Sequence, residues 1–156
     1  MKFAVIGTGV VGTALAVLLE RAGYECVGVN TRSEISYQHF REYLNKDQLP
    51  LEILTAQADV LFITTQDGMI HSVAQTLVRE GLIKPGQLWI HCSGSLSSEV
   101  LRVYQDIPVS CLSIHPFQTF TNVKEALSIL AGSHFGVEGD DVEKGEFIVR
   151  ALGGIP

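Results

Sequence analysis

Lys2-Phe3-Ala4-Val5-Ile6-Gly7-Thr8-Gly9-Val10-Val11-Gly12 opens the chain, and an Ala/Leu/Val-rich segment carries on from it to Gly23. An apolar run of strand length, a G-x-G-x-x-G turn and a helix-length apolar segment, in that order, form the diphosphate cradle of a dinucleotide-binding βαβ unit. Gly7 turns the chain sharply out of the strand, Gly9 lets the backbone approach a diphosphate, and Gly12 lets the helix pack closely on the sheet. The start of the helix, with Thr8, Val10 and Val11, then offers free N–H groups and the positive end of the helix dipole. A second apolar run, Glu25 to Val29, follows as the unit requires. The competing reading is a glycine-rich turn in some other βαβ unit.

Beyond this unit, apolar runs of strand length keep alternating with helix-length segments, the pattern of a parallel sheet. A polar helix is expected within Ser33–Asn45, a short strand at Leu51–Leu54 after Pro50, and a fourth strand at Val60–Thr64. Asp67 to Glu80 reads as a helix with Asp67 as its cap, closed by Gly81, and Leu88–His91 as the fifth strand. A helix over Ser97–Gln105, a sixth strand over Val109–Ile114, a short helix over Val123–Leu130, a seventh strand over His134–Glu138 and an amphipathic helix over Asp141–Leu152 follow. A further strand is expected to begin at Gly153-Gly154-Ile155-Pro156. The fold class is therefore α/β: a Rossmann-type, doubly wound, mostly parallel sheet with helices on both faces, in one domain over 1–156.

Composition narrows the function. No apolar run approaches the roughly twenty residues of a membrane helix, and Met1 opens directly into a strand, so no leader is expected. The net charge of −6 and eleven scattered basic residues speak against nucleic acid or anionic lipid as partner. Cys26, Cys92 and Cys111 are odd in number, lack metal-ligand spacing and fall in or beside strands, which reads as buried free thiols in a reducing cytoplasm. The alternative is a thiol nucleophile. His39, His71, His91 and His134 likewise show no ligand-like spacing, so no metal is expected.

The end of the second strand selects the cofactor. An NAD site places a carboxylate there to bind the ribose 2′-OH. This chain has Asn30, Thr31, Arg32 and Ser33 instead, and a guanidinium with two hydroxyls suits the 2′-phosphate of NADP. The alternative makes Arg32 a solvated loop residue and Ser33 a helix cap, and Glu34 is a carboxylate close enough to oppose the phosphate. Thr64, Thr65 and Gln66 leave the fourth strand at the carboxyl edge, where ligands of open parallel sheets bind, and are expected to line the ribose beside the nicotinamide.

These segments resemble the amino-terminal domain of the 6-phosphogluconate dehydrogenase-like superfamily, which includes β-hydroxyacid dehydrogenases, pyrroline-5-carboxylate reductases and prephenate dehydrogenases. His91-Cys92-Ser93-Gly94-Ser95-Leu96-Ser97 and Ser113-Ile114-His115-Pro116-Phe117-Gln118-Thr119-Phe120 are similar to the H-x-S-G and H-P-x-Q-T-F segments of its Rossmann-like, NADP-type oxidoreductases. The resemblance implies hydride transfer between NADP(H) and a small carbonyl, imino or hydroxy compound. By analogy it makes Ser93 a substrate contact and His115 an acid/base or substrate-positioning residue. It also implies a further, mostly helical domain for dimerisation and site closure, which these 156 residues do not include. Either the chain is a fragment of a longer protein that carries this domain, or a homodimer or a partner supplying it is the corresponding expectation.

Read from the residues alone, a histidine suits proton transfer near neutral pH, and Pro116 biases His115 toward extended backbone. The alternatives are a structural histidine at 115 and, at Ser93–Ser95, a turn whose serines cap the next helix. Phe117 and Phe120 read as loop anchors, and His39, His71, His91 and His134 as surface or strand-end residues. The other functional class consistent with the sequence is a non-catalytic NADP-binding module that reports cofactor state to a partner.

Overall fold

The computed structural model describes residues 1–156. Strands β1 (Lys2–Ile6), β2 (Glu25–Asn30), β3 (Val60–Ile63), β4 (Leu88–His91), β5 (Ser110–Pro116) and β6 (Phe135–Gly139) form one sheet in the order β2-β1-β3-β4-β5-β6. The first five are parallel, and β6 runs antiparallel to β5 at the edge. Six helices connect them: α1 (Val10–Arg21), α2 (Glu34–Arg41), α3 (Leu51–Gln57), α4 (Asp67–Arg79), α5 (Val123–Ile129) and α6 (Val142–Ala151).

Because successive strand side chains point to opposite faces, each interior strand serves two cores. Phe3, Val5, Phe62, Ile90, Leu112 and Ile114 join α1, α5 and α6 in one. Ala4, Ile6, Leu61, Ile63, Trp89 and Cys111 join α3 and α4 in the other. This two-sided burial explains why the strands read as continuous apolar runs, and it confirms the doubly wound, mostly parallel fold. No helix is long and apolar enough to cross a membrane.

Two segments depart from the sequence reading. Leu51–Leu54 is not a strand but the start of α3: Pro50 occupies its N-cap, and Leu54, three residues on from Leu51, is fully buried in the second core. The edge of β2 is met instead by Gln48, in an isolated parallel bridge to Val29. The helix expected over Ser97–Gln105 is a single 3₁₀ turn, Ser98–Leu101. Glu138 receives the Ser98 N–H and hydroxyl at its start, and Arg102 leaves helical geometry at its end to pair with Asp140. The strand expected at the last residues begins as a parallel bridge between His134 and Ile155.

Cys26 and Cys111 are buried and Cys92 is half-buried, all as free thiols. Burial pushes Cys26 and Cys111 up to about 11 and Cys92 up to about 12, which leaves negligible thiolate at neutral pH.

Candidate functional site

A cleft of about 720 Å³ opens at the carboxyl ends of β1 and β3, the point where strand order reverses from β2-β1 to β1-β3. Gly7 leaves β1 with φ +100°, a conformation that disfavours any side chain. Its N–H donates to the Asn30 carbonyl at 2.8 Å, and its carbonyl accepts from the Thr64 hydroxyl at 2.8 Å, so the ends of β1, β2 and β3 are locked together. Gly12 lies beneath this junction, where a Cβ would run into the Gly7 carbonyl and the Thr64 hydroxyl. At Gly9, by contrast, a Cβ would meet no protein atom within 4 Å, because that face of the turn looks into the cleft.

The turn is built as an anion cradle. No protein acceptor takes the N–H groups of residues 8 to 12, and α1 has neither a side-chain cap nor an acidic residue in its first turn. Of the other helices, α2, α5 and α6 take side-chain caps from Ser33, Asn122 and Asp141, whereas α3 and α4 also lack one but carry an acidic residue, Glu52 or Asp67, in the first turn. A helix start with its donors free, beside backbone that a side chain would obstruct, fits a dinucleotide diphosphate.

Of the residues expected around the cofactor, Gly7, Thr8, Gly9, Val10 and Val11 line the cleft from one side, and Asn30, Thr31, Arg32 and Ser33 from a second. Thr64, Thr65 and Gln66 line the third. Gly12 alone does not, acting from below. Asn30 and Ser33 carry structural duties as well: the Asn30 amide donates to the Leu49 carbonyl at 2.9 Å, and the Ser33 hydroxyl caps α2. Arg32 is exposed, with neither a carboxylate nor a hydrogen-bond partner. Glu34 turns away to accept from Gln38 at 2.7 Å, and no Asp or Glu lines the cleft. Sequence reading missed Ser36, Met69, Val73, Thr76 and Phe120 in the wall. They project from α2, α4 and the loop after β5, where nothing in the local pattern marks a residue as facing a ligand.

Asp67 is not the cap of α4 but its first residue. Its carboxylate accepts from the Ser95 hydroxyl at 3.1 Å, which in turn lies 3.1 Å from the Ser93 hydroxyl. Those serines belong to a second pocket, of about 450 Å³, at the ends of β4 and β5, where Ser93, Ser113, His115 and Glu138 converge. Here the structure brings together both residues assigned to chemistry, beside the cleft but sharing no lining residue with it.

His115 is half-buried, and its Nδ1 is enclosed without a hydrogen-bond partner. Its ring lies against Gly94, where a Cβ would overlap the imidazole, and meets Phe117 edge-on with centroids 5.5 Å apart. Phe117 is 63% exposed, so it does not anchor the loop as expected. Phe120 does, packing on the first core while it faces the cleft. His91, read as a strand-end residue without a role, is fully buried and organises the serine loop. Its Nδ1 accepts from the Ser93 N–H at 3.1 Å while Nε2 donates to the Ser97 carbonyl at 2.9 Å. A neutral imidazole satisfies both bonds, and burial holds its pKa below the ordinary histidine value.

The Rossmann-like domain family matches residues 1–116. Among solved structures, the chain is similar to a Bacteroides fragilis protein provisionally assigned as an NADP oxidoreductase (22% identity, TM-score 0.74), covering 97% of this chain and 57% of that one. It is also similar to arogenate dehydrogenase from Synechocystis (15% identity, TM-score 0.77, 99% and 58% covered). A third likeness is to a semialdehyde dehydrogenase NAD-binding protein from Cupriavidus necator, solved with calcium and NAD (17% identity, TM-score 0.74, 97% and 59% covered). At these identities the likeness is one of fold, and the chain spans a little over half the length of each. No curated protein matches the sequence.

Proposed function

The chain belongs to the Rossmann-like domain family, and from that premise we propose that it is the NADP(H)-binding part of an oxidoreductase acting on a small carbonyl, imino or hydroxy compound. The observation that carries this reading is the composition of the cleft: free backbone donors at the start of α1, and the unpaired Arg32 guanidinium on a rim without carboxylates. A 2′-phosphate gains charge-assisted hydrogen bonds from such a rim, and the neighbouring carboxylate of Glu34 bonds Gln38 and does not line the cleft. The NADP assignment of the Bacteroides fragilis neighbour points the same way, whereas the Cupriavidus necator neighbour was solved with NAD.

Hydride transfer is the chemistry that a nicotinamide cofactor held in the cleft would supply. In reduction, His115 gives a proton to the carbonyl or imine; in oxidation, it takes one from the hydroxyl. Ser93, whose loop His91 clamps, holds the substrate. A helical domain of the kind the resemblance implies, on the same polypeptide or on a partner, covers the His115 pocket and excludes water. Three buried or half-buried free thiols suit a reducing cytoplasm.

A second reading, the non-catalytic NADP-binding module, draws on one observation: the cleft and the His115 pocket share no lining residue. Calorimetric titration with NADPH and NADH, followed by a turnover panel of small hydroxy acids, aldehydes and imines, tests both. Tight NADPH binding with turnover supports the enzyme, binding without turnover supports the module, and equal affinity for the two cofactors rejects the NADP assignment.

A further inference from the structure

The cleft contains a junction that the glycine motif does not describe. Thr8 is 3% exposed, and its carbonyl oxygen accepts two hydroxyl protons, from Ser36 at 2.7 Å and from Thr13 at 3.2 Å. A serine hydroxyl has one proton, and that of Ser36 is committed to this carbonyl. The 3.0 Å contact between the two side chains therefore runs from the Thr8 hydroxyl to Ser36 Oγ. Ser36 N donates in turn to Ser33 Oγ, the cap of α2. One residue thus ties the glycine turn to the loop that presents Arg32.

The consequence falls on the peptide joining Thr8 to Gly9. In a trans peptide the C=O and N–H point in opposite directions, and the chain has no cis bond. With the carbonyl held toward Thr13 and Ser36, the Gly9 N–H faces the other way; no protein atom accepts from it, and both residues line the cleft. A flipped peptide would aim a carbonyl oxygen at a phosphate and would break both hydroxyl bonds. We propose that Ser36 and Thr13 are positioning residues that preset the Thr8–Gly9 peptide, so that its N–H is aimed at the diphosphate of a bound dinucleotide. The inference rests on the cofactor reading above and adds to it two residues that hold the cradle in its binding geometry before ligand arrives. Ser36 is the sharper probe, because it is half-buried on α2 and its removal leaves α1 intact.

Dissociation constants for NADPH and NADH, measured by calorimetry on the whole chain, on Ser36→Ala, Thr13→Val and the double variant, test this, with thermal melts to establish that each is folded. Both cofactors carry the diphosphate, so Ser36→Ala is expected to weaken both by the same factor, about five- to thirtyfold for one to two hydrogen bonds. Ser36→Thr, which keeps the hydroxyl, should restore both. The double variant should lose more than the product of the single losses, because in each single variant the remaining hydroxyl still partly restrains the carbonyl and in the double variant none does. In ¹H–¹⁵N spectra the Gly9 amide should move on NADPH addition in the unmodified chain, and the movement should shrink in the double variant. A loss confined to NADPH would assign Ser36 to the Arg32 loop alone and overturn the inference, as would unchanged affinity for both cofactors. If the unmodified chain binds neither dinucleotide, the cofactor reading falls and this one with it. Normal binding by the unmodified chain and an unaffected Ser36→Ala would overturn this inference alone.

Discussion

The cleft between β1 and β3 and the pocket at the ends of β4 and β5 sit on the same edge of one sheet, yet they are built by opposite means. The cleft offers backbone donors that nothing in the protein uses. In the pocket most polar groups already bond one another: His91 to Ser93 and Ser97, Ser93 to Ser95, Ser95 to Asp67, and Glu138 to Ser98. The His115 side chain makes no hydrogen bond there, and its Nδ1 is enclosed without a partner. A backbone cradle is complete once a strand, a turn and a helix follow each other. A side-chain pocket needs parts from three distant stretches and depends on how they pack. Cofactor binding and chemistry should accordingly respond to different substitutions.

The largest separation is expected at Gly9. A valine there finds open space in the protein but stands in the path of a diphosphate, so NADPH affinity should fall at least about a hundredfold while the melting temperature stays nearly unchanged. Calorimetry paired with a thermal melt checks it, and a folded variant that still binds NADPH normally would remove the diphosphate from this turn.

Gly94→Ala is the mirror case. Its methyl group would overlap the His115 ring, and a displacement of about 1 Å at a reacting group can lower turnover by up to about a hundredfold. NADPH affinity should not change, and the His115 ring resonances should shift in the NMR spectrum. Loss of NADPH binding in this variant would mean that the two sites are not separable.

Arg32→Ala gives a smaller effect, confined to one cofactor. It should remove about 1–3 kcal/mol from NADPH binding and leave NADH untouched, which competitive titration can read. An equal loss for both would make Arg32 a general electrostatic contact and not a discriminator.

The smallest expected effect concerns His91 and pH. Its folded-state pKa lies below the ordinary value of about 6.5 because it is buried. Between the two values the unfolded chain binds more protons than the folded one, so stability is fully present above about pH 6.5 and declines as pH falls toward the depressed value. Urea melts across this range should show that slope, and His91→Gln should flatten it. A slope unchanged in the variant would place the titrating group elsewhere.

The same contrast governs what could be read from the chain before folding. The glycine turn and its flanking runs were legible because the cradle is local: residues 2 to 12 contain the strand, the turn and the helix start, and even Thr64 to Gln66 announce themselves as a strand end. The Leu51–Leu54 segment misled because four residues rich in leucine and isoleucine fit a short strand as well as the first turn of a helix. Asp67 misled for a different reason. An aspartate at a helix start is an ordinary cap, and only the distant Ser95 draws its carboxylate away. Ser36 carries no sequence signal at all and His91 only its place in the H-x-S-G segment, since their roles consist of bonds to Ser93, Ser97 and Thr8.

By itself, then, the order of apolar runs, glycines and polar ends determined a doubly wound sheet, the location of the dinucleotide turn and the non-acidic end of β2, because each depends on neighbours within a few positions. Tertiary structure alone decided that Glu34 turns from the cleft, that Ser36 and Thr13 hold the Thr8 carbonyl, and that His115 shares a pocket with Ser93 and Glu138. The physical reason is reach. Hydrogen bonds and close packing act over a few ångströms in space, and between residues 8 and 36 or 93 and 138 that proximity exists only once the helices and strands have docked.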